Sequence, residues 1–261
     1  MGVGSTDTVE IELLDAEERL GERVFHDASD PRMTSNRYLS CASCHQDGDA
    51  DNQTWDFSQR GEGLRSTTPL AGRSGSGQNL LHWSANFDEL QDFENDIRDH
   101  FGGRGFMNES AFAQSRLPLG APKAGRSAEL DALAAYVRGL SEPRRSPFRG
   151  DDGNLTPGAA RGQAVFESQG CASCHSGPTT TDGQRHDVGT VDSSSGRVGG
   201  LFSTSIDTPS LGGLWATAPY FHNGSAGTLD AVLERGHGSV GPLSPTQRAD
   251  LVEYLRSLEA G

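Results

Sequence analysis

The chain has 261 residues, and its 22 basic and 36 acidic residues give a net charge of −14 at neutral pH. Such a surface repels nucleic acid and anionic lipid, and it suits a basic protein partner or a small neutral substrate. Only 33% of the residues are apolar and 34 are glycine, so the sequence predicts that a bound apolar group supplies part of the core.

The beginning of the chain predicts a helix but no targeting segment. Residues 1–4 contain neither a basic nor an apolar stretch, so no export signal is predicted within this chain. No run of 18 apolar residues occurs anywhere, so no membrane span is predicted. Asp15, with Glu18 three residues later, is a start signal for a first helix.

The four cysteines form two copies of the pentapeptide C-A-S-C-H, which begin at Cys41 and Cys171. C-x-x-C-H is the attachment signature of c-type haem. The two thiols add to the porphyrin vinyl groups, and the adjacent histidine ligates the iron. The predicted attachment residues are Cys41, Cys44, Cys171 and Cys174, and the predicted proximal iron ligands are His45 and His175.

Structural zinc, dithiol redox chemistry and local disulfides fit the cysteine pattern less well than haem does. Paired zinc knuckles usually lie about 15–20 residues apart, whereas 126 residues separate Cys44 from Cys171. A dithiol redox pair needs only one motif, and local disulfides do not require a histidine after each pair.

The two halves of the chain repeat each other beyond the pentapeptides. Residues 20–25 resemble residues 161–166, and residues 133–140 resemble residues 251–258. Thr-Pro pairs lie 14 residues before His82 and 14 residues before His222, which makes these two histidines equivalent. Counting back from Leu90 and Leu229 makes Trp83 the equivalent of His222 instead. Each half therefore reads as helix, haem motif, long glycine-rich loop and helix.

Helix starts and a linker complete the predicted architecture. Thr156 and Ser244, each followed by proline, predict the starts of two helices in the second half. Residues 141–155 are rich in turn formers and predict a linker. We predict an all-α fold of two tandem cytochrome c-like domains, residues 1–145 and 146–261, each enclosing one covalent c-type haem, with long irregular loops.

The segments T-P-S-L (residues 208–211) and A-T-A-P-Y-F-H-N-G (residues 216–224) resemble the bacterial di-haem cytochrome c peroxidase family, which includes the di-haem enzyme of methylamine utilisation. The linker residues 146–148 are also similar, and the resemblance covers about residues 20–258. It implies two packed cytochrome c-like domains. The N-terminal haem would react with hydrogen peroxide, and the C-terminal haem would receive electrons from a small, basic redox protein such as a cytochrome c or a cupredoxin.

The resemblance also implies roles for individual residues. Trp83 matches a family tryptophan between the two haems, with core packing as the alternative. Catalytic polar groups near the first haem would come from Gln91, Glu94 and Glu109, which could equally be ordinary surface residues. Possible calcium ligands are Ser66, Thr217 and Pro219, where Ser66 replaces the asparagine of the family.

The sixth iron ligands separate catalysis from electron transfer, because an open iron binds small molecules. No methionine follows Met107, so the family's distal methionine is missing from the second half. His237 is the first candidate in its place and His186 the second, and either could instead be a loop histidine. His222 belongs to the P-Y-F-H segment and is expected to hydrogen-bond at the domain interface.

The first haem has no candidate ligand in the loop that follows its motif, since residues 46–65 contain no histidine. We expect an open iron, with His82, His100 or Met107 as the alternative ligands.

Three functions are consistent with these observations. The first is a peroxidase-like oxidoreductase that reduces hydrogen peroxide with electrons from a small redox protein. The second is a di-haem electron-transfer module without its own peroxide chemistry. The third is oxidation of an organic or protein substrate, as in the methylamine-utilisation relative. The expected location is the periplasm or another extracytoplasmic compartment, as a homodimer or as part of a larger chain.

Overall fold

The computed structural model describes residues 14–71, 80–141, 145–196, 204–238 and 240–259. Within these residues the helices are α1 (Ala16–His26), α2 (Phe93–Asp99), α3 (Glu109–Gln114), α4 (Ala128–Gly139), α5 (Pro157–Ser168), α6 (Leu229–Glu234) and α7 (Pro245–Ser257). Strands β1 (Thr54–Phe57) and β2 (Gly63–Ser66) form one antiparallel sheet, and β3 (Arg185–His186) and β4 (Ile206–Asp207) form another. The helix-rich prediction is confirmed.

The two small sheets correct the expectation of an all-α fold with irregular loops. Thr54 pairs with Ser66 and Phe57 with Gly63, so the segment after the first motif folds back as an antiparallel ribbon. A left-handed Gly61 at the turn, with φ of 83°, allows this reversal because glycine has no Cβ to clash. The sequence did not indicate strands here because each has only four residues.

Local capping signals predicted the helix starts correctly. Asp15 and Glu18 form a capping box at the start of α1, and Ser244 and Gln247 form another at α7. The Thr156 side chain accepts a hydrogen bond from the Ala159 backbone N–H at α5. These oxygens satisfy backbone N–H groups that have no partner within the helix.

A crossing of two helices is repeated in each half. A Cβ on Gly21 of α1 would lie 1.9 Å from the carbonyl oxygen of Ala132 in α4. A Cβ on Gly162 of α5 would lie 1.9 Å from the carbonyl oxygen of Asp250 in α7. Only glycine permits these approaches, so the sequence repeat marks the same helix contact twice.

Each half has its own apolar cluster around this crossing. In the first half the cluster includes Phe25 and Tyr136, whose ring centroids lie 5.3 Å apart at an interplanar angle of 61°. In the second half Phe166 and Tyr254 repeat the arrangement at 5.4 Å and 63°. The first and second cysteine motifs border these clusters through Cys41 and Cys171.

A tight loop that precedes α2 in the first half recurs before α6 in the second. Leu81 N–H donates to Phe87 O at 2.7 Å, and Tyr220 N–H donates to Ala226 O at 2.7 Å. The next residue is left-handed in both loops, with φ of 67° at His82 and 66° at Phe221. The equivalent of His222 is therefore Trp83, which resolves the register that the sequence left open.

The halves meet where β2 packs against the second half. A Cβ on Gly63 would lie 2.2 Å from the backbone oxygen of Ser194, so the two backbones are in direct contact. Ser66 N–H donates to His222 O at 2.7 Å, and Asp207 N–H donates to Trp83 O at 3.0 Å. None of the helices in the described residues has the length and apolar character needed to cross a lipid bilayer.

Candidate functional site

Both pentapeptides adopt the same compact backbone. A 3₁₀ turn begins at Cys41 and at Cys171. His45 N–H donates to Cys41 O at 2.9 Å, and His175 N–H donates to Cys171 O at 3.0 Å. This turn brings the two thiols and the imidazole of each motif to one side of a short segment, as attachment of one porphyrin requires.

The donor groups of both motifs fit a covalently bound haem. All four cysteines are free thiols rather than disulfides. Burial lowers the pKa of His45 to about 4 and also lowers the pKa of His175, so both imidazoles are neutral at pH 7. A neutral imidazole is the form that ligates a metal. Thr180 O lies 3.2 Å from His175 Nδ1, which leaves Nε2 free as the ligating nitrogen.

The structure brings His237 to the second motif. The ring centroids of His175 and His237 lie 6.1 Å apart, with an interplanar angle of 31°. His237 Nδ1 is buried without a hydrogen-bond partner, and burial lowers the pKa of His237 to about 4. A metal–imidazole bond is about 2 Å long, so two imidazoles on opposite sides of one iron would have about this separation. Phe221 packs against His237 at 5.8 Å.

His186 lies elsewhere in the second half. His186 Nε2 is 2.7 Å from Asp182 Oδ2, and these two groups cluster with the thiol of Cys174. This position is beside an attachment cysteine of the motif, and the Asp182 carboxylate holds the imidazole through its Nε2. Of the two candidates, His237 therefore has the geometry of a distal ligand.

A buried polar network lies beside the first motif. His82 Nδ1 is 2.8 Å from Asn86 Oδ1, and His82 Nε2 is 3.8 Å from Asp96 Oδ2. Arg60 pairs with Asp96 at 2.8 Å. Burial lowers the pKa of His82, and a protonated His82 would lower the pKa of His45, so the two imidazoles are near each other.

The network continues to the junction of the halves. Ser84 Oγ donates to Glu62 Oε1 at 2.9 Å, and Arg65 Nε donates to Glu62 Oε2 at 3.1 Å. Burial, and then the Arg65 charge, lower the pKa of His222 to about 4. No sequence pattern indicated this network, because the pairs that assemble it, Ser84 with Glu62 and Arg60 with Asp96, join residues far apart in the chain. Its members beside His82 are Arg60, Glu62, Ser84, Asn86 and Asp96.

The three predicted catalytic side chains have structural partners in this conformation. Gln91 Nε2 donates to Asp131 Oδ1 at 2.8 Å. Glu94 accepts the backbone N–H groups of residues 106 and 107, as well as Arg98 Nε at 2.7 Å. Glu109 also pairs with Arg98, and its side chain is 87% exposed. Their catalytic role stays a prediction.

Met107 and His100, the other alternative ligands of the first iron, each have neighbours of their own. Met107 packs with Phe112 and Leu130 in a separate apolar cluster. His100 Nε2 lies 4.0 Å from Asp96 Oδ1.

Trp83 lies at the junction of the two halves. Its indole Nε1 donates to Ser66 O at 2.9 Å, and its ring centroid lies 6.4 Å from that of His222. His222 Nε2 is in turn 2.6 Å from Ser195 Oγ. Trp83 therefore contacts residues of both halves, as its predicted position between two haems requires.

The predicted calcium ligands lie at the same junction. Ser66 Oγ is 3.2 Å from Thr54 Oγ1, and a Cβ on Gly224 would lie 3.2 Å from both Ser66 Oγ and Pro219 Cγ. Thr217 N–H donates to Leu214 O at 3.4 Å. Calcium binding by Ser66, Thr217 and Pro219 stays a prediction. None of these three residues has a carboxylate side chain, so they would offer only neutral oxygens to the ion.

Asp207 is a buried acid that no sequence motif indicated. Burial, with a further contribution from the nearby Asp182, raises the pKa of Asp207 to about 7. Asp207 Oδ1 has no hydrogen-bond partner among the described residues. Because Asp207 N–H contacts Trp83 O, this acid lies on the path between the two halves.

Comparison with known proteins places this geometry in a family. A family profile described as RoxA-like, cytochrome c-like matches residues 207–237. The chain is 30% identical to hydrazine synthase subunit gamma of Kuenenia stuttgartiensis over 92% of this chain and 77% of that protein. A solved structure of that hydrazine synthase has a TM-score of 0.69 and 27% identity, and the alignment covers 94% of this chain and 88% of the other.

Two enzymes are also similar to this chain over the same share of its length. The methylamine utilisation protein MauG of Methylorubrum extorquens is 29% identical over 92% of this chain and 77% of its own length. Cytochrome c551 peroxidase of Pseudomonas aeruginosa is 27% identical, with the same coverage of both chains. The chain belongs to the di-haem cytochrome c peroxidase family.

Proposed function

We propose that the protein is a di-haem c-type cytochrome that reduces hydrogen peroxide with electrons from a small redox protein. The observation that carries the proposal is an asymmetry between the two motifs. His237 faces His175 at a ligand-like separation, whereas His82, the imidazole near His45, has Asn86 and Asp96 beside its two ring nitrogens. An iron with one protein ligand can bind a small molecule, and an iron with two mainly transfers electrons.

The chain would hold both haems through its own residues. Cys41, Cys44 and His45 would hold the first haem, and Cys171, Cys174, His175 and His237 would hold the second. The haem irons supply the redox chemistry of peroxide reduction. We infer from this arrangement two domains, residues 1–145 with the peroxidatic haem and residues 146–261 with the electron-transfer haem, and an extracytoplasmic location.

Protons for the reaction would come from the network beside His45. His82 is neutral at pH 7 because burial lowers its pKa, and the oxygen of Asn86 accepts its Nδ1–H. Asp96, held by Arg60, lies 3.8 Å from the other ring nitrogen, so its negative charge would stabilise a proton that His82 takes up there. A positioned acid–base pair of this kind typically contributes a factor of about 10²–10⁴ to the rate.

Trp83 would serve the electron path. The tryptophan is fixed by its hydrogen bond to Ser66 O, and it touches His222 of the second half. An indole bridging the two halves shortens the path between the metal sites. The net charge of −14 favours a basic electron donor, whose approach would be accelerated at low ionic strength.

The test uses haem-loaded protein reduced by a basic cytochrome c. We expect peroxide-dependent oxidation of the cytochrome. His82→Gln should slow this oxidation but leave the rate at which the cytochrome reduces the second haem unchanged. His26→Gln is a matched control, because His26 lies 3.4 Å from the Tyr136 hydroxyl in the helix crossing rather than in the network. Two irons that stay six-coordinate and unreactive to peroxide in every redox state would overturn the proposal.

A second candidate is an electron-transfer subunit of a larger enzyme. The similarity to a protein named as subunit gamma of hydrazine synthase favours it, as does the paired imidazole arrangement at the second motif. Under this alternative both irons would be low-spin and would exchange electrons quickly with a partner, but peroxide would not be consumed.

A further inference from the structure

Trp55 is a large aromatic side chain at the surface beside the first haem-attachment peptide. It lies on β1, and 40% of the residue is exposed. Its indole Nε1 donates to Asp51 Oδ2 at 2.9 Å. An exposed tryptophan contributes little to the core, so a carboxylate that fixes its orientation indicates a role at the surface.

Asp51 links this indole to the first motif. Asp51 N–H donates to Cys44 O at 3.0 Å. Two hydrogen bonds and one residue therefore connect the exposed indole with a cysteine that anchors a haem.

We propose that Trp55, with Asp51 as its proton acceptor, is a surface redox relay that passes electrons from a cationic donor to the first haem site. The inference rests on the proposed peroxide reduction, because that reaction supplies the oxidant. It adds a second route for electrons that bypasses the C-terminal half. It also admits donors that are too large to reach the buried site.

Electrons and protons balance in this relay. Reduction of one hydrogen peroxide to two waters consumes two protons and leaves the protein two electrons short. The indole of Trp55 gives one electron, and its Nε1 proton moves to the Asp51 carboxylate. An external donor then reduces the neutral indole radical, and the proton returns from Asp51 to Nε1. A second one-electron donation completes the turnover.

The surroundings of Trp55 select the charge of the donor. Residues 46–59 contain Asp47, Asp49, Asp51 and Asp56, and the side chains of the neighbouring Arg60 and Arg65 are 9% and 7% exposed and are each ion-paired with a carboxylate. Acidic side chains around an exposed indole attract a cation through Coulomb forces and through the face of the ring. The donor class is therefore a positively charged one-electron reductant.

Flash photolysis tests the relay without peroxide. The haem-loaded protein is reduced and mixed with tris(bipyridine)ruthenium, a cationic photosensitiser, and with persulfate as the electron acceptor. The flash produces a cationic oxidant in solution, and bleaching of the reduced-haem band measures electron transfer out of the protein. We expect Trp55→Phe to slow the bleaching several-fold at low ionic strength, with a smaller difference at high salt.

Two further variants make the test specific. Tyr38→Phe is the matched control, since Tyr38 is 73% exposed and lies three residues before Cys41, yet its hydroxyl hydrogen-bonds none of the described residues. Asp51→Asn retains an acceptor oxygen but cannot take the proton, so bleaching should slow as in Trp55→Phe. An indole radical signal in frozen samples, lost in Trp55→Phe and kept in Tyr38→Phe, would support the same conclusion.

The outcomes separate this inference from the proposed function. Equal bleaching rates in the wild type and Trp55→Phe would overturn the relay, even if the enzyme consumes peroxide. A relay-dependent rate in a protein that does not consume peroxide would overturn the proposed function but keep Trp55 as an electron-exchange site. Slowing in Tyr38→Phe as well as Trp55→Phe would also overturn the relay, because the effect would then belong to the surface as a whole.

Discussion

The imidazoles of His175 and His237 face each other with ring centroids 6.1 Å apart, although 61 residues separate them in the chain. His175 is fixed by the turn of its motif, and His237 comes from the segment that follows α6. The pair supports the proposed second haem site, in which one iron would have two nitrogen ligands. Because methionine ligation raises the potential relative to histidine ligation, this iron is expected to have a low potential.

Replacing His237 tests this geometry directly. We expect His237→Ala to convert one of the two irons from six-coordinate low-spin to five-coordinate, and His237→Met to raise its reduction potential. Low-temperature magnetic spectroscopy and a potentiometric titration measure these changes. His186→Ala is the control and should change neither, because Asp182 already holds that imidazole. A spin-state change in His186→Ala, with none in His237→Ala, would show that His186 rather than His237 is the distal ligand.

Trp83→Phe should slow electron transfer between the two haems. The substitution keeps an aromatic ring but removes the hydrogen bond from Nε1 to Ser66 O. The free energy of unfolding should fall by about 1 kcal/mol, the usual contribution of one such bond. Stopped-flow reduction of the haems measures the rate. Trp215→Phe is the control, since Trp215 Nε1 has no partner among the described residues, and an equal effect of both substitutions would argue against a specific path.

The sequence predicted those parts of the fold that depend on neighbouring residues. Asp15, Thr156 and Ser244 cap helices within three or four positions of themselves, so a local pattern was enough. The haem motifs are equally local. The sheet of β1 and β2 was missed because four-residue strands carry too few alternations to stand out from a loop.

The parts of the site that the sequence did not predict depend on distant partners. Ser84 and Glu62 are 22 residues apart, and Arg60 and Asp96 are 36 apart, so neither pair forms a motif. The equivalence of Trp83 and His222 needed the matching left-handed residues, which differ in type between the two loops. His237, in contrast, was predicted by asking which residue could replace a missing methionine, and the structure places its ring beside that of His175.

Adding one methyl group at the helix crossing should destabilise the protein. Gly21→Ala would place a Cβ 1.9 Å from Ala132 O, a backbone atom that cannot move without shifting α4. We expect a loss of about 1–3 kcal/mol in the free energy of unfolding. Gly139→Ala is the matched control, because its nearest neighbour is the flexible Glu18 carboxylate at 3.1 Å. Denaturant unfolding followed by circular dichroism separates the two, and equal stabilities would contradict the crossing.

Asp207 should make stability depend on pH near neutrality. Its pKa is raised to about 7 from a usual value near 3.8, so the folded protein binds a proton that the unfolded chain has lost. Stability from this group is full below about pH 4 and is lost as the pH rises through 7. Asp207→Asn should therefore be more stable than the wild type at pH 8, by about 1–2 kcal/mol after allowing for solvent screening, and similar to it at pH 4.

Asp187→Asn provides a control of opposite sign for this pH profile. A hydrogen bond from Thr204 lowers the pKa of Asp187, so its contribution is present at neutral pH and is lost on acidification. Thermal unfolding of both variants between pH 2 and pH 8 gives the comparison, because the contribution of Asp187 is lost only as the pH falls below about 3.8. A wild-type profile that does not change on Asp207→Asn would show that this carboxyl is ionised in the folded state.

The matching loops that hold Trp83 and His222 carry information about the origin of the chain. A half-length ancestor that paired with a second copy of itself would have placed this one position near the two-fold axis, where it met its own counterpart. Duplication and fusion would then have released each copy to change independently, one to an indole and the other to an imidazole. The contact between two once identical positions would thus have become the unlike pair, indole and imidazole, that now joins the two halves.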